Sequence, residues 1–264
     1  MLDFDKYISI RQRLASAYNV DSFTLSTNPD YIELMQSGRE SRLKKNYDDC
    51  HWCYDSAIKL LESSSKFQKK KTMLISCVHS ARAACYIDQG KYFKALGECD
   101  IAILIFDDNA EAWCNKGVVY WNISNYDAAL ESHKNAIKID PELVESWNGI
   151  GNLLVDHFKE YKSALKYLNK AIELSDGKYI PALVNKGNVL LKLGEYTSAN
   201  EYYDLAFEID PDNAIHAQLN KAINLIDNLN QPQNAIKILN NLNNNLSVDH
   251  RYKKEIIDLL NQLI

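Results

Sequence analysis

The chain has 264 residues, with 30 Lys and Arg against 35 Asp and Glu, giving a formal net charge of -5. A weakly acidic surface has no general attraction for phosphate backbones or anionic lipid, which argues against nucleic-acid and membrane-surface roles. Nine glycines and five prolines are few breakers for this length and favour long helices over a turn-rich β architecture.

The N-terminus, Met1-Leu2-Asp3-Phe4-Asp5-Lys6-Tyr7, has early acids and no apolar run of the kind a signal peptide needs. No stretch approaches the roughly 18–20 apolar residues of a membrane helix. A cytoplasmic location is the expectation. Residues 1–19 carry Phe4, Tyr7, Ile8, Leu14 and Tyr18 near one stripe, which predicts a helix. Residues 20–30, VDSFTLSTNPD, read as a linker.

From residue 31 the chain repeats itself. Residues 110–141 (AEAWCNKGVVYWNISNYDAALESHKNAIKIDP), 144–176 (VESWNGIGNLLVDHFKEYKSALKYLNKAIELSD) and 180–211 (IPALVNKGNVLLKLGEYTSANEYYDLAFEIDP) share one order of residue types. Each has an aromatic or Leu, a Gly, a Tyr and two Ala at nearly constant offsets. The pattern resembles the tetratricopeptide repeat, a helix–turn–helix unit of 34 residues. The small residue of repeat position 8 falls on Gly38, Ala83, Gly117, Gly151, Gly187 and Ala222. The turn tyrosine of position 17 falls on Tyr47, Tyr92, Tyr126, Tyr161 and Tyr196. Small residues recur at position 20 (Cys50, Ala95, Ala129, Ala164, Ala199, Ala235) and position 27 (Ala57, Ala102, Ala136, Ala171, Ala206). Small side chains let helices approach closely, and Pro141 and Pro211 close the second helix of their units.

Six units follow: 31–64, 76–109, 110–143, 144–179, 180–214 and 215–248. The first and last are degenerate, as capping repeats are. In the last, Pro232 stands for the turn tyrosine and Leu242 for a small residue. Residues 65–75, SKFQKKKTMLI, are additional and contain no breaker, so they are expected to lengthen the adjoining helices. Residues 249–264 form a final amphipathic capping helix, with Ile256, Leu259, Leu260, Leu263 and Ile264 on its apolar face.

The resemblance implies an all-α solenoid, a right-handed superhelix of antiparallel helix pairs whose first helices line a concave groove. Repeat positions 2, 5, 6, 9, 12 and 13 then meet the ligand. Those positions hold Asn115, Asn122, Asn148, Asn152, Asn185, Asn188 and Asn220. Asparagine offers a donor and an acceptor, which suits the backbone of an extended peptide. The same positions hold Arg39 and Arg42 in the first unit, Asp88, Glu111, Glu145 and Asp156 in the middle, and Lys192 and Asp227 near the end. The acidic middle favours a neutral or basic segment. Trp121, Val155, Val184, Leu191 and Ile223 are the apolar groove positions, which hold side chains of the partner or, for some of them, face the neighbouring unit instead. The asparagines are expected to face away from the core, so that Asn115, Asn185 and Asn220 can be removed without loss of the fold. The family's clamp for a C-terminal carboxylate is absent, since Met35, Arg39, Ala81 and Glu111 occupy its positions.

Other constellations read as structural. Cys50-His51-Trp52-Cys53 has C-x-x-C spacing, but it falls inside a helix at repeat positions 20 and 23 and has no second ligand pair. Redox sensing through Cys50 and Cys53 is the functional alternative to packing there. His133 takes an aromatic core position, and His216 takes a groove position without a catalytic neighbour. Lys66, Lys69, Lys70 and Lys71, with Lys44 and Lys45, read as a solvated helix extension. No catalytic, cofactor-binding or metal-binding motif occurs. The expected function is a protein–protein interaction module or scaffold that binds an extended peptide segment of a partner protein, with no enzymatic activity, cofactor or metal. The alternative is a regulatory or substrate-recruiting subunit of an enzyme supplied by another chain.

Overall fold

The computed structural model describes residues 29–63, 70–247 and 250–263. The expected helix over 1–19, most of the linker, Lys66, Lys69 and Ile264 lie outside the described residues. Thirteen helices and no strand occur among the described residues. They are α1 (Pro29–Leu43), α2 (Tyr47–Ser63), α3 (Lys71–Asp88), α4 (Tyr92–Ile105), α5 (Ala110–Asn122), α6 (Tyr126–Ile139) and α7 (Val144–Asp156). There follow α8 (Tyr161–Leu174), α9 (Ile180–Lys192), α10 (Tyr196–Ile209), α11 (Ile215–Asp227), α12 (Pro232–Asn245) and α13 (Lys253–Leu263). Pro29 and Asp30 open α1 rather than ending a linker, because a proline in the first helical turn sacrifices no hydrogen bond. Residues 71–75 do lengthen a helix: α3 has 18 residues where α5, α7, α9 and α11 have 13. None of these helices is long and apolar enough to cross a membrane.

The structure divides into two compact units, one up to Val119 and one from Tyr120. In the first, α1 packs on α2, α2 on α3 and α3 on α4. In the second, each helix from α6 to α13 packs on the next along the chain.

Pairing depends on a small residue facing a large one. A methyl group added at Gly187 would lie 2.5 Å from the Tyr203 ring. One at Gly38 would lie 2.6 Å from the Tyr54 ring, and one at Gly151 2.6 Å from Leu168. Tyr203 and Leu168 are fully buried and Tyr54 nearly so. Each of these glycines is at repeat position 8, and each bulky partner is on the second helix of the same pair.

The turn between the paired helices is equally regular. Lys45, Gly90, Ser124, Lys159, Gly194 and Asn230 all have positive φ. The left-handed residue aims the following N–H back at the carbonyls of the first helix, as in a Schellman cap. Asn46 N, Lys91 N, Asn125 N and Glu195 N donate to Ser41, Tyr86, Tyr120 and Leu190 carbonyls at 2.8–2.9 Å. Two turns carry an extra residue, and there Glu160 N and Gln231 N reach one residue further, to Leu154 and Leu225. The last pair is accordingly regular: α12 starts on Pro232, and Leu242 is buried. Ile256 and Leu260 of α13 are buried in the same cluster as Leu239 and Leu242, as a capping helix requires.

His133 is a core residue, as its repeat position predicts. Gly149 leaves room for its ring, since a methyl group there would lie 2.7 Å from Nε2. Burial pushes the imidazole down to about 4.

Two predictions arise from this packing. Gly187→Ala should destabilise the chain by about 1–3 kcal/mol through overpacking against Tyr203. Gly97→Ala, on α4 where nothing lies within 4 Å of the added methyl, should stabilise by about 0.5–1 kcal/mol. Urea unfolding of the two variants measures the contrast. The second concerns pH. The unfolded chain protonates His133 near pH 6.5, whereas the folded chain keeps it neutral to about 4. The folded pKa is depressed, so stability falls as pH drops below 6.5, by about 1.4 kcal/mol per unit. Between pH 7 and pH 5 His133→Phe should therefore lose about 2 kcal/mol less than the parent, measured by urea unfolding at both values.

Candidate functional site

In the second unit the expected binding residues come from α7, α9 and α11. Asn148 and Asn152 are four apart on α7, and Asn185 and Asn188 three apart on α9, so each pair shares a helix face. All four are half-buried, as is Asn220 on α11. Asn185 Nδ2 donates to Asn148 Oδ1 at 3.0 Å. Asn220 Nδ2 donates to Asn188 Oδ1 at 3.2 Å. Asn188 Oδ1 also accepts the Tyr203 hydroxyl at 2.7 Å. In the first unit, Asn115 Nδ2 donates to the Ser80 carbonyl at 3.0 Å and to its hydroxyl at 3.2 Å.

The three asparagines of repeat position 6 thus each direct an amide donor to the first helix of the preceding pair. This corrects the expectation that Asn115, Asn185 and Asn220 simply face away from the packing: each is half-buried and bonded to a neighbouring helix. Helix interiors disfavour asparagine, and here the side chain bridges neighbouring helices instead of standing in water. The amide planes are fixed by these bonds. Among the described residues, none donates to the side-chain carbonyl oxygen of Asn185 or Asn220.

The apolar and charged positions divide. Val155 and Val184 are buried at 6 % and 4 % exposure, because they close the contact between neighbouring pairs, so they do not meet a ligand. Trp121 is 40 % exposed. Glu111 is exposed and Glu145 half-buried. Arg42 and Asp88 form a salt bridge at 2.5 Å, so the separation of charge along the first unit is partly cancelled. His216 is half-buried, and burial and the nearby Arg251 push its imidazole down. Among the described residues no group of three or more His, Cys, Asp or Glu is placed to hold a metal ion.

Two features escaped the sequence reading. Asn224, 1 % exposed, donates to the Tyr196 carbonyl at 2.8 Å and to Asn200 Oδ1 at 2.7 Å, tying α11 to the start of α10. Its position in the repeat gave no signal, since the earlier units hold other residues there. The other feature is an apolar stripe on α4. Phe93 and Leu104 are more than four-fifths exposed and Ile101 is 40 % exposed, with Gly97 between them. The matching positions of α6 are charged or polar: Asp127, Lys138 and Asn135.

Sequence models described as tetratricopeptide repeats match residues 110–143, 144–177 and 180–213. Protein PHOX3 of Arabidopsis thaliana is 26% identical over 166 residues, which cover 61% of this chain and 19% of that protein. The chain thus spans about a fifth of the length of this curated relative. Among solved structures, TTC0263, a thermophilic TPR protein of Thermus thermophilus, superposes with a TM-score of 0.59 at 15% identity, covering 74% of this chain and 99% of that one. YrrB, described as a TPR protein with an unusual peptide-binding site, superposes with a TM-score of 0.51 at 21% identity, covering 69% and 92%. At these identities the likeness is one of fold.

The bonded asparagines make a prediction about stability. Asn188→Ala removes the oxygen that accepts from both the buried Tyr203 hydroxyl and Asn220, and should cost about 1–3 kcal/mol. Adding Tyr203→Phe should recover part of that loss, because removing both partners leaves less unsatisfied. Urea unfolding of the single and double variants tests it.

Proposed function

The chain belongs to the tetratricopeptide-repeat family, and we propose that it binds an extended peptide segment of a partner protein on the first helices of its repeats. Tetratricopeptide repeats and their structural neighbours support a protein–protein interaction scaffold. The observation that carries the finer reading is the set of half-buried asparagines on α7, α9 and α11. Asn185 and Asn220 are held in orientation by bonds to neighbouring helices through their amide nitrogens, which leaves their side-chain carbonyl oxygens to accept from a ligand. A polar group whose geometry is already fixed loses little entropy when a peptide backbone arrives. YrrB, of like fold, is described as having an unusual peptide-binding site, which supports peptide binding as the reading.

Glu111 on the first unit and Glu145 on the second each favour a neutral or basic segment on their own unit, through attraction that salt screens. The six-repeat division over 31–248, the cytoplasmic location and the lack of enzymatic activity belong to the same proposal. A second reading, a regulatory or substrate-recruiting subunit of an enzyme supplied by another chain, draws on the α4 stripe. Phe93, Ile101 and Leu104 offer apolar surface on a helix that the asparagines do not occupy.

The test begins with a partner recovered by pull-down and continues by calorimetry. Replacing Asn185 and Asn220 by Ala should weaken binding by roughly 0.5–1.5 kcal/mol for each bond lost to the ligand, with folding checked by circular dichroism at the assay temperature. Reversing Glu111 and Glu145 to Lys should weaken binding of a basic segment and flatten its salt dependence. Unchanged affinity in both variants removes the asparagine face as the site. Loss of binding on Phe93→Ser with Leu104→Ser would then favour the second reading.

A further inference from the structure

The cysteines pair differently from their spacing. Cys50 on α2 has its sulfur 2.8 Å from that of Cys85 on α3, although 35 residues separate them. A disulfide bond is about 2.05 Å long, so closure requires a movement of under 1 Å. Cys53, the other member of the C-x-x-C, is buried on the same helix as Cys50 and is raised by burial and by Asp49.

The surroundings of the two sulfurs are unequal. Gln89 Nε2 lies 3.6 Å from Cys85 Sγ, and His51 Nε2 3.9 Å from it. Gln89 Nε2 and His51 Nε2 are themselves 2.9 Å apart. Both side chains are half-buried, and Cys85 itself is buried. The Cys50 thiol, the Gln89 amide and the Arg42 charge act together to hold the Cys85 thiol below its ordinary value. The hydrogen bond to Cys85 and burial push the Cys50 thiol up.

We propose that Cys50 and Cys85 form a reversible redox site, in which a small peroxide oxidises the pair to a disulfide that joins the second helix of the first repeat to the first helix of the next. The Cys85 thiolate attacks one peroxide oxygen and the O–O bond breaks. For hydrogen peroxide this gives a sulfenic acid on Cys85 and hydroxide. The Cys50 sulfur then displaces the sulfenic hydroxyl; its proton leaves with that group as water, and the S–S bond forms. Two thiols lose two electrons, the peroxide gains them, and two waters result in sum. An external dithiol reverses the step by exchange.

The test uses the full chain, folded and reduced. It is exposed to hydrogen peroxide, alkylated, digested and mapped by mass spectrometry, with a dithiol-treated aliquot as control. The expected product is a cross-linked peptide pair containing Cys50 and Cys85 that the dithiol removes. Its melting temperature should exceed that of the reduced chain by several degrees. Cys53→Ser should leave the product unchanged and Cys85→Ser should abolish it. Gln89→Leu, which removes the donor, should slow its formation several-fold. A Cys50–Cys53 bond, peroxide damage on Cys85 without a cross-link, or no reaction in the native chain would each overturn the proposal. Because the mapping is made on the parent protein, the decision does not depend on any variant folding.

Discussion

The structure depends on how closely two helices can approach within a pair. At repeat position 8 the first helix presents a residue with little or no side chain, and a large side chain from the second helix occupies the space. Gly187 with Tyr203, Gly151 with Leu168, and Gly38 with Tyr54 are three instances of one contact. The left-handed residue in each intervening turn sets the angle at which the second helix returns. Four of those residues are not glycine, and a repeated backbone conformation is held there by the recurring N–H to carbonyl bond.

Contacts between neighbouring pairs are more polar. Lys116 bonds Asp100, Lys186 bonds Asn169 and Lys221 bonds Asp204, all at 2.5–2.7 Å. In each case a lysine just before the position-8 residue reaches the second helix of the preceding pair. Trp113 and Trp147 recur likewise, each indole N–H donating to a carbonyl six residues earlier. The asparagines at position 6 repeat the pattern on the other side of the same helices. The residues that suit a ligand are therefore also residues that fix repeat to repeat. Binding on this face and alignment of the repeats draw on the same side chains.

The first unit contains a denser network than the others. Glu98 accepts from Arg82 at 2.9 Å and lies 2.7 Å from His79 Nδ1, and Arg82 also bonds Asp55. This joins α2, α3 and α4, with the His79, Arg82 and Glu98 side chains largely buried and Asp55 exposed. Such a network specifies one arrangement of helices, because any other would leave a buried charge unpaired. The Cys50–Cys85 contact lies between two of the same helices, so the sulfurs are held in a rigid setting.

The sequence by itself determined the helices, their pairing and the small residues at which paired helices approach. Those follow from offsets within about 34 residues, where side-chain size and turn chemistry act locally. It also identified the asparagines of the first helices and the core role of His133. Only the tertiary structure decided what those asparagines hold, that Val155 and Val184 are buried, and that Cys50 meets Cys85 rather than Cys53. Each of these depends on which residue of the next pair stands opposite. The repeat spacing constrains where that residue lies, but its chemistry varies from unit to unit: Ser80, Asn148 and Asn188 accept from equivalent asparagines. A hydrogen bond or a sulfur contact is settled within a few tenths of an ångström, by packing across helices that the linear pattern does not contain.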